Sequence, residues 1–488
     1  MANDLKQKAL SGTKWSSILQ FGKYGISFFL SIVLARLLDP EEFGLIGMLT
    51  IFTVIAKIFI NSGLSAAIIR DKTAVEKDFS TVFYFNLLVS LLFYVTLYVT
   101  APVIANFYDE PILIKLTRWV ALVFVINAFG LIQNAILIRK IDFKTQSISH
   151  LTGLAVSALV GGFMAFSGYG VWSIVGQILS QAMVTNTLLW ILSPWKPRDG
   201  FSVASFKKLW AFGSKVLATT LITQIIDNID TILIGKLFAA QNLGFYTRAK
   251  SSRAIPQNIM GGVLGSVSFS VLSNVNDSLS EVRRIHLRFL KLAAFVVFPV
   301  VLGLIAAAKP FVVVLYSDKW LPYVPILQII AFYAVTYTLG VLFSQTLMAI
   351  GKAGKYFQLN VFKRLVGLLS LPVGLILGLY PYLYALVSLA IVGFLLDMVY
   401  IGKELNISLK AYFIILIKYL FPAALMMCVV FSLSLMHIES MHVLLLAQIF
   451  AGLLIYWLFS VIFKVNEYYE IRDILKAKIA STFKRDKK

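Results

Sequence analysis

Apolar runs of roughly 20 residues or more follow one another along most of the chain, with short polar gaps between them. A run of that length crosses hydrocarbon as a helix, because a helix satisfies its own backbone hydrogen bonds where no water can. The pattern predicts spans at about Thr13–Leu38, Phe43–Ile69, Thr81–Ile104, Ile112–Leu137, Ile148–Phe166 and Val171–Leu192. A polar loop follows. Then come Leu209–Phe238, Leu243–Leu272, Phe289–Ala308, Val324–Ile350, Gln358–Leu379, Tyr382–Ile401, Ala411–Leu435 and Val443–Phe463. The expected fold is therefore all-α and polytopic, with about 14 transmembrane helices. No gap could hold a soluble domain of roughly 50 residues. The polar stretch Met1–Gly12 and the run after it, which lacks a small-residue cleavage site, argue against a cleavable signal peptide.

Composition agrees: 59% of the 488 residues are apolar and 14% are charged, where soluble domains carry about a quarter charged. A net charge of +21 would raise nucleic-acid binding in a soluble protein. Here the cations sit mostly in alternate loops, and they report topology instead. One set holds Arg70/Lys72/Lys77, Arg139/Lys140/Lys144, Lys196/Arg198/Lys207/Lys208, Arg283/Arg284/Arg288, Lys352/Lys355 and Lys403/Lys410. The other set is nearly free of cations: Asn106–Glu110, Ser167–Gly170, Leu379–Pro381 and His437–His442. Cationic loops stay in the cytoplasm, so both termini are expected there, in the bacterial inner membrane. The tail Glu467–Phe483 alternates apolar and basic residues at helical spacing and reads as an amphipathic helix on an anionic leaflet. The single cysteine, Cys428, and four scattered histidines show no metal-ligand spacing, so neither metal nor cofactor is expected.

The first half repeats in the second. Leu34–Gly44 aligns with Ile234–Gly244: Arg36 meets Lys236, Leu37 meets Leu237 and Gly44 meets Gly244. Both segments join the first two spans of their half. A same-orientation repeat separated by six spans predicts two pseudo-symmetric six-helix lobes about an axis along the membrane normal. The expected organisation is a first lobe over 1–195, a second over 196–405, a helix pair over 406–465 and the tail over 466–488.

Polar stripes run inside several spans. Ser16, Gln20, Lys23, Ser27 and Ser31 share one face of the first, and Thr50, Thr53, Lys57 and Asn61 share one face of the second. The seventh carries Lys215, Thr219, Thr223, Asp227 and Thr231, with Asp230 beside them; the eighth carries Lys250, Arg253 and Gln257, with Arg248 nearby. Shifted by the repeat, Thr50, Thr53 and Lys57 fall on Lys250, Arg253 and Gln257. Cations at membrane depth cost several kcal/mol unless water or an anion compensates them. Lys23, Lys57, Lys215, Arg248, Lys250 and Arg253 are therefore candidates for a cationic cavity between the lobes. Gln20, Ser27, Asn61 and Gln257 are candidates for its polar lining. An anionic ligand such as a pyrophosphate would suit it. Snorkelling to an interface is the competing reading, strongest for Lys14, Lys215, Lys250, Lys363, Arg364 and Lys418 near span ends. Asp227, Asp230 and Asp397 are candidates for charge pairing or for a coupling ion.

Several stretches resemble a known family. They are LARLLDPEEFGLIGM (Leu34–Met48), the Asn106–Pro111 loop, GYGVWSIV (Gly168–Val175), the Trp195–Arg198 loop, NIDTILIGKLFAAQNLGFYTRA (Asn228–Ala249) with Pro256 after it, and SDKWLPYVPILQI (Ser317–Ile329). Together they resemble the polysaccharide transporters, or Wzx-type flippases, of the multidrug/oligosaccharidyl-lipid/polysaccharide exporter superfamily, in its colanic-acid-exporter-like branch. Ala239-Ala240 and Ser270 depart from the residues common there, and the last two spans carry little resemblance. The resemblance implies a flippase that moves undecaprenyl-pyrophosphate-linked oligosaccharide between leaflets by alternating access, for surface polysaccharide synthesis. It implies a lipid-linked glycan as substrate, membrane lipids around it, polymerase and chain-length machinery as partners, and a proton or sodium gradient as the coupling. The rivals are a lipid II-type flippase, a multidrug cation antiporter, which would favour an acidic cavity, and a membrane enzyme of glycan assembly. The enzyme would need a large outer loop or a soluble catalytic domain, and no paired carboxylates stand at a suitable site.

Overall fold

A computed structural model describes the backbone of residues 2–61, 63–436, 438–470 and 472–473, with side chains throughout these except at 2–10, 13, 254–264 and 266. Every regular element among the described residues is helical. In order they are α1 (Ala2–Leu37), α2 (Pro40–Asn61), α3 (Leu64–Arg70), α4 (Glu76–Tyr108), α5 (Leu113–Arg139), α6 (Phe143–Phe166), α7 (Trp172–Leu192), α8 (Val203–Leu237) and α9 (Ala240–Ser273). Then follow α10 (Leu279–Ala306), α11 (Ala308–Tyr316), α12 (Tyr323–Ala349), α13 (Ala353–Leu368), α14 (Ser370–Leu377), α15 (Leu379–Leu405), α16 (Leu409–Ser432) and α17 (Met441–Ile462). Thirteen candidate spans among the described residues are long and apolar enough to cross a membrane; α2 with α3, and α13 with α14, each form one. Outside that set lie α11, whose 9 residues are too few to cross, and α9, whose 34 residues reach about 50 Å but whose side chains are described only outside 254–264 and 266.

The helices run past the apolar windows because polar caps, rather than hydropathy, set their ends. Asp142 accepts the Thr145 amide at 3.1 Å and Ser202 accepts the Ser205 amide at 3.3 Å. Ser278 and Ser408 do the same for Glu281 and Ala411, so α6, α8, α10 and α16 each start on a side-chain cap. The second span breaks where Gly63 takes φ +68°; a Cβ there would overlap the Gly213 carbonyl oxygen, so only glycine lets α8 approach this closely. The short helix α11 was not expected, because its run is too brief to register as a span.

The chain divides into two compact units, Met1–Thr247 and Arg248–Lys488. In the first, α6 packs on α1 and α7, α4 on α5, and α8 on α2, α3 and α4. One of its cores joins Leu64, Ile68, Val82, Phe83, Ile132 and Leu209, flanked by Trp190, Trp195, Phe206 and Trp210. These aromatics gather at the end that carries the cationic loops, as residues at a headgroup boundary do. In the second unit α10, α12, α15 and α16 form the main core, with His286 fully buried between Thr346 Oγ1 (2.9 Å) and the Tyr412 hydroxyl (3.2 Å). Along α17, Leu446, Phe450 and Leu453 stand 68%, 68% and 69% exposed on one stripe, a surface that only lipid makes tolerable.

The repeat has a structural counterpart. Leu37 and Leu237 close α1 and α8, and Pro40 and Ala240 open α2 and α9, 200 positions apart in each case. A Cβ on Gly44 would overlap the carbonyl oxygen of Ala240, and one on Gly244 would overlap that of Pro40. The two contacts exchange under the 200-residue shift, so a local two-fold relates the two helix starts.

Candidate functional site: cationic stripes at membrane depth

In the first unit the polar stripes of α1, α2 and α8 are uncovered over much of their length. Gln20 and Ser27 are exposed and Lys23 is half-buried on α1; Lys57 and Asn61 are exposed on α2, and Lys215 and Asp227 on α8. Among the described residues Lys23, Lys57 and Lys215 have no ion-pair partner. Lys57 lies 17 residues beyond Pro40 and 13 short of Arg70, about 26 and 20 Å along the helix axis. Lys23 lies about 14 Å from Lys14 and 21 Å from Leu37 on the same scale. The nearer span ends are thus about two to three times the reach of a lysine side chain away, which makes snorkelling far harder for these two than for lysines near span ends. The threonines of α2 are spent locally: Thr50 donates to the Ile46 carbonyl at 3.3 Å and Thr53 to that of Thr50 at 2.8 Å.

Behind Lys23 stands a polar seam that the reading of the first two spans passes over. On α6, His150 Nε2 is 3.4 Å from Asn134 Oδ1 on α5, and Gln146 Nε2 donates to the same oxygen at 3.0 Å. Asn186 of α7 donates to Asn127 of α5 at 3.0 Å. The spacings Gln146/His150 and Asn127/Asn134 carry a helical signal, but the flanking apolar residues hide it. Gly22 seats α1 against this seam; a Cβ there would meet Leu151 at 2.7 Å.

The acids fall out differently. Asp230 accepts the Thr231 amide at 2.7 Å and the hydroxyl of buried Tyr246, which fastens the end of α8 to the first turns of α9. Asp397 of α15, 3% exposed, is paired with Lys363 Nζ at 2.7 and 2.9 Å. Lys363 therefore points inward to a carboxylate and does not snorkel. Among the α9 cations in the second unit, Arg248 is buried over the rings of Tyr316 (4.4 Å) and Trp320 (5.9 Å). Arg253 lies over Tyr333 at 4.2 Å with its Nε unbonded, and Lys250 is half-buried. The side chain of Gln257 and residues 474–483 of the tail lie outside the described residues. At the cationic-loop end, Lys208 Nζ lies 2.7 Å from Asp71, and this contact holds the Asp71 carboxyl well below the usual carboxylate range. No group of three or more histidine, cysteine or acidic side chains among the described residues could hold a metal.

Spanning-length helices and exposed apolar faces are those of a multi-pass membrane protein, and sequence comparison names the group. The profile of the polysaccharide biosynthesis protein family matches residues 33–325, more than half of the chain. The chain belongs to this family. It is similar to the teichuronic acid biosynthesis protein TuaB of Bacillus subtilis (strain 168), 29% identical over 88% of this chain and 90% of that one. It is also similar to the lipopolysaccharide biosynthesis protein WzxC of Escherichia coli (strain K12), 24% identical over 76% of each chain. Its fold matches the lipid II flippase MurJ in an inward closed conformation with a TM-score of 0.75, at 19% identity, over 94% of this chain and 99% of that one. The family member described here is a multi-pass membrane transporter, not an enzyme.

Proposed function

We propose that this chain is a flippase that carries undecaprenyl-pyrophosphate-linked oligosaccharide across the bacterial inner membrane, with both termini in the cytoplasm. The observation that carries the reading is the pair Lys23 and Lys57, exposed or half-exposed at membrane depth with no ion partner among the described residues. Facing hydrocarbon, they would be costly; facing a wet cavity, they are poised for a diphosphate. The exposed polar side chains of Gln20, Ser27 and Asn61 suit a glycan beside it. Lys215 of the same unit adds positive charge. A carrier of cationic drugs would want free acids instead, and Asp230 and Asp397 are committed to Tyr246 and Lys363. Alternating access, driven by a proton or sodium gradient, would then expose the site to each leaflet in turn and deliver the glycan to a polymerase.

The test is complementation of a flippase-null strain. Lys57→Ala and Lys23→Ala should each lower surface polysaccharide, and the double variant should abolish it, with the protein inserted at parental level. Lys57→Arg should retain export. Unchanged polysaccharide in the double variant would refute the assignment.

A further inference from the structure

Away from the stripes, the second unit has an open cavity of about 350 Å³ between α13 and α15, lined by Lys355, Tyr400, Lys403 and Glu404. It lies at the end of these helices that carries the cationic loops. The two helices run antiparallel with a regular ladder of charges. Lys363 pairs with Asp397 inside the span; two turns further out, Lys355 Nζ lies 2.7 Å from Glu404, which Lys352 also meets. The inner rung balances one charge against one. The outer rung does not, because Lys352 and Lys355 share the single carboxylate of Glu404 and Lys403 stands beside them. Lys403 is exposed with no ion-pair partner among the described residues. The mouth therefore carries a surplus of two positive charges.

We propose that this cavity binds the phosphate headgroup of an anionic phospholipid. The ammonium groups of Lys355 and Lys403 and the hydroxyl of Tyr400, all at the rim of one cavity, supply donors for its oxygens. Two further features favour a lipid over phosphate from solution. The cavity opens at the level where spans end, and Tyr400, 45% exposed, has the amphipathic ring suited to that boundary. From there, α13 and the residue that follows it expose Phe357 (64%), Phe362 (53%) and Leu369 (61%), an apolar surface for acyl chains. Basic pockets between helices at an anionic leaflet hold headgroups in this way. The proposal is independent of the glycan site.

The experiment is native mass spectrometry of the full chain in detergent, titrated with dioleoylphosphatidylglycerol, dioleoylphosphatidylcholine or inorganic phosphate. Phosphatidylglycerol should bind in preference to phosphatidylcholine, and Lys403→Gln should weaken it about fivefold, the effect of one lysine at an anionic surface. Lys355→Gln with Lys403→Gln should weaken it further, while Lys403→Arg should preserve it. Glu404→Gln should tighten binding, a change of sign that loss of folding cannot mimic. Equal retention of the two lipids, or no change in Lys403→Gln, would overturn the proposal. Displacement of the lipid by millimolar inorganic phosphate would overturn it as well, assigning the cavity to a soluble anion.

Discussion

Gly44 and Gly244 provide the most direct check on the internal two-fold. An ideal Cβ on Gly44 would stand 2.5 Å from the carbonyl carbon of Ala240, and one on Gly244 would stand 2.8 Å from that of Pro40. Ordinary contact begins at 3.4 Å, so the shortfall is about 0.9 and 0.6 Å, and greater at the carbonyl oxygens. The obstacle is backbone in the first turn of a helix, which cannot swing aside as a side chain can. Gly44→Ala should therefore cost about 3 kcal/mol, the upper end of ordinary overpacking, and Gly244→Ala a similar amount. The two sites share one contact. Once the first alanine has separated the helix starts, the second meets less resistance, so the double variant should cost about as much as one single variant. Unfolding of the purified protein in mixed micelles, followed by tryptophan fluorescence, measures all three. A Gly44→Ala midpoint within about 0.5 kcal/mol of the parent, or strictly additive costs, would refute the reciprocal contact.

Further predictions follow from the charges. Lys363→Ala or Asp397→Ala alone should destabilise the second unit by about 3–5 kcal/mol, because each strands a partner inside the span, while Lys363→Met with Asp397→Leu should recover most of the loss in the same unfolding assay. Arg248→Lys should lower stability by about 1–2 kcal/mol, since an ammonium cannot stack on Tyr316 and Trp320 as a planar guanidinium does; an equal midpoint would refute it. The Asp71 carboxyl, depressed first by the hydrogen bond from Lys208 and then by those from Thr73, should stay ionised below an ordinary aspartate. Its contribution is present above the unfolded value near pH 4 and fades only as pH falls through the lower folded one. Infrared difference spectra between the parent and Asp71→Asn, recorded down a pH series, should show its carboxylate band persisting after exposed aspartates have protonated.

Much of this protein was legible in its sequence, because lipid imposes a rule that one chain reports on by itself. A span must be apolar for some 20 residues whatever it packs against, so thirteen of the fourteen expected spans find a helix long and apolar enough among the described residues, and the eighth finds α9. One helix stops and the next starts at matching places in Leu34–Gly44 and Ile234–Gly244, 200 positions apart, as the sequence alignment of the two segments suggests. Depth could be counted directly, and it singled out Lys23 and Lys57 from lysines near span ends.

Partnership was another matter. Lys363 read as a snorkelling lysine, and only the antiparallel register of α13 and α15 sets its ammonium on Asp397, 34 residues away. Asp230 read like Asp227 until Tyr246 of the next helix reached it. The Asn134–Gln146–His150 seam lies across two helices whose polar residues are unremarkable singly, and the break at Gly63 follows from the approach of Gly213, 150 positions on. Hydropathy is a property of each residue against its solvent, so the sequence alone determined where the chain crosses the membrane and which charges go deep. Whether a deep charge is neutralised or left open to a ligand depends on atoms within a few ångströms of it, and those come from distant segments that only the packed helices bring together.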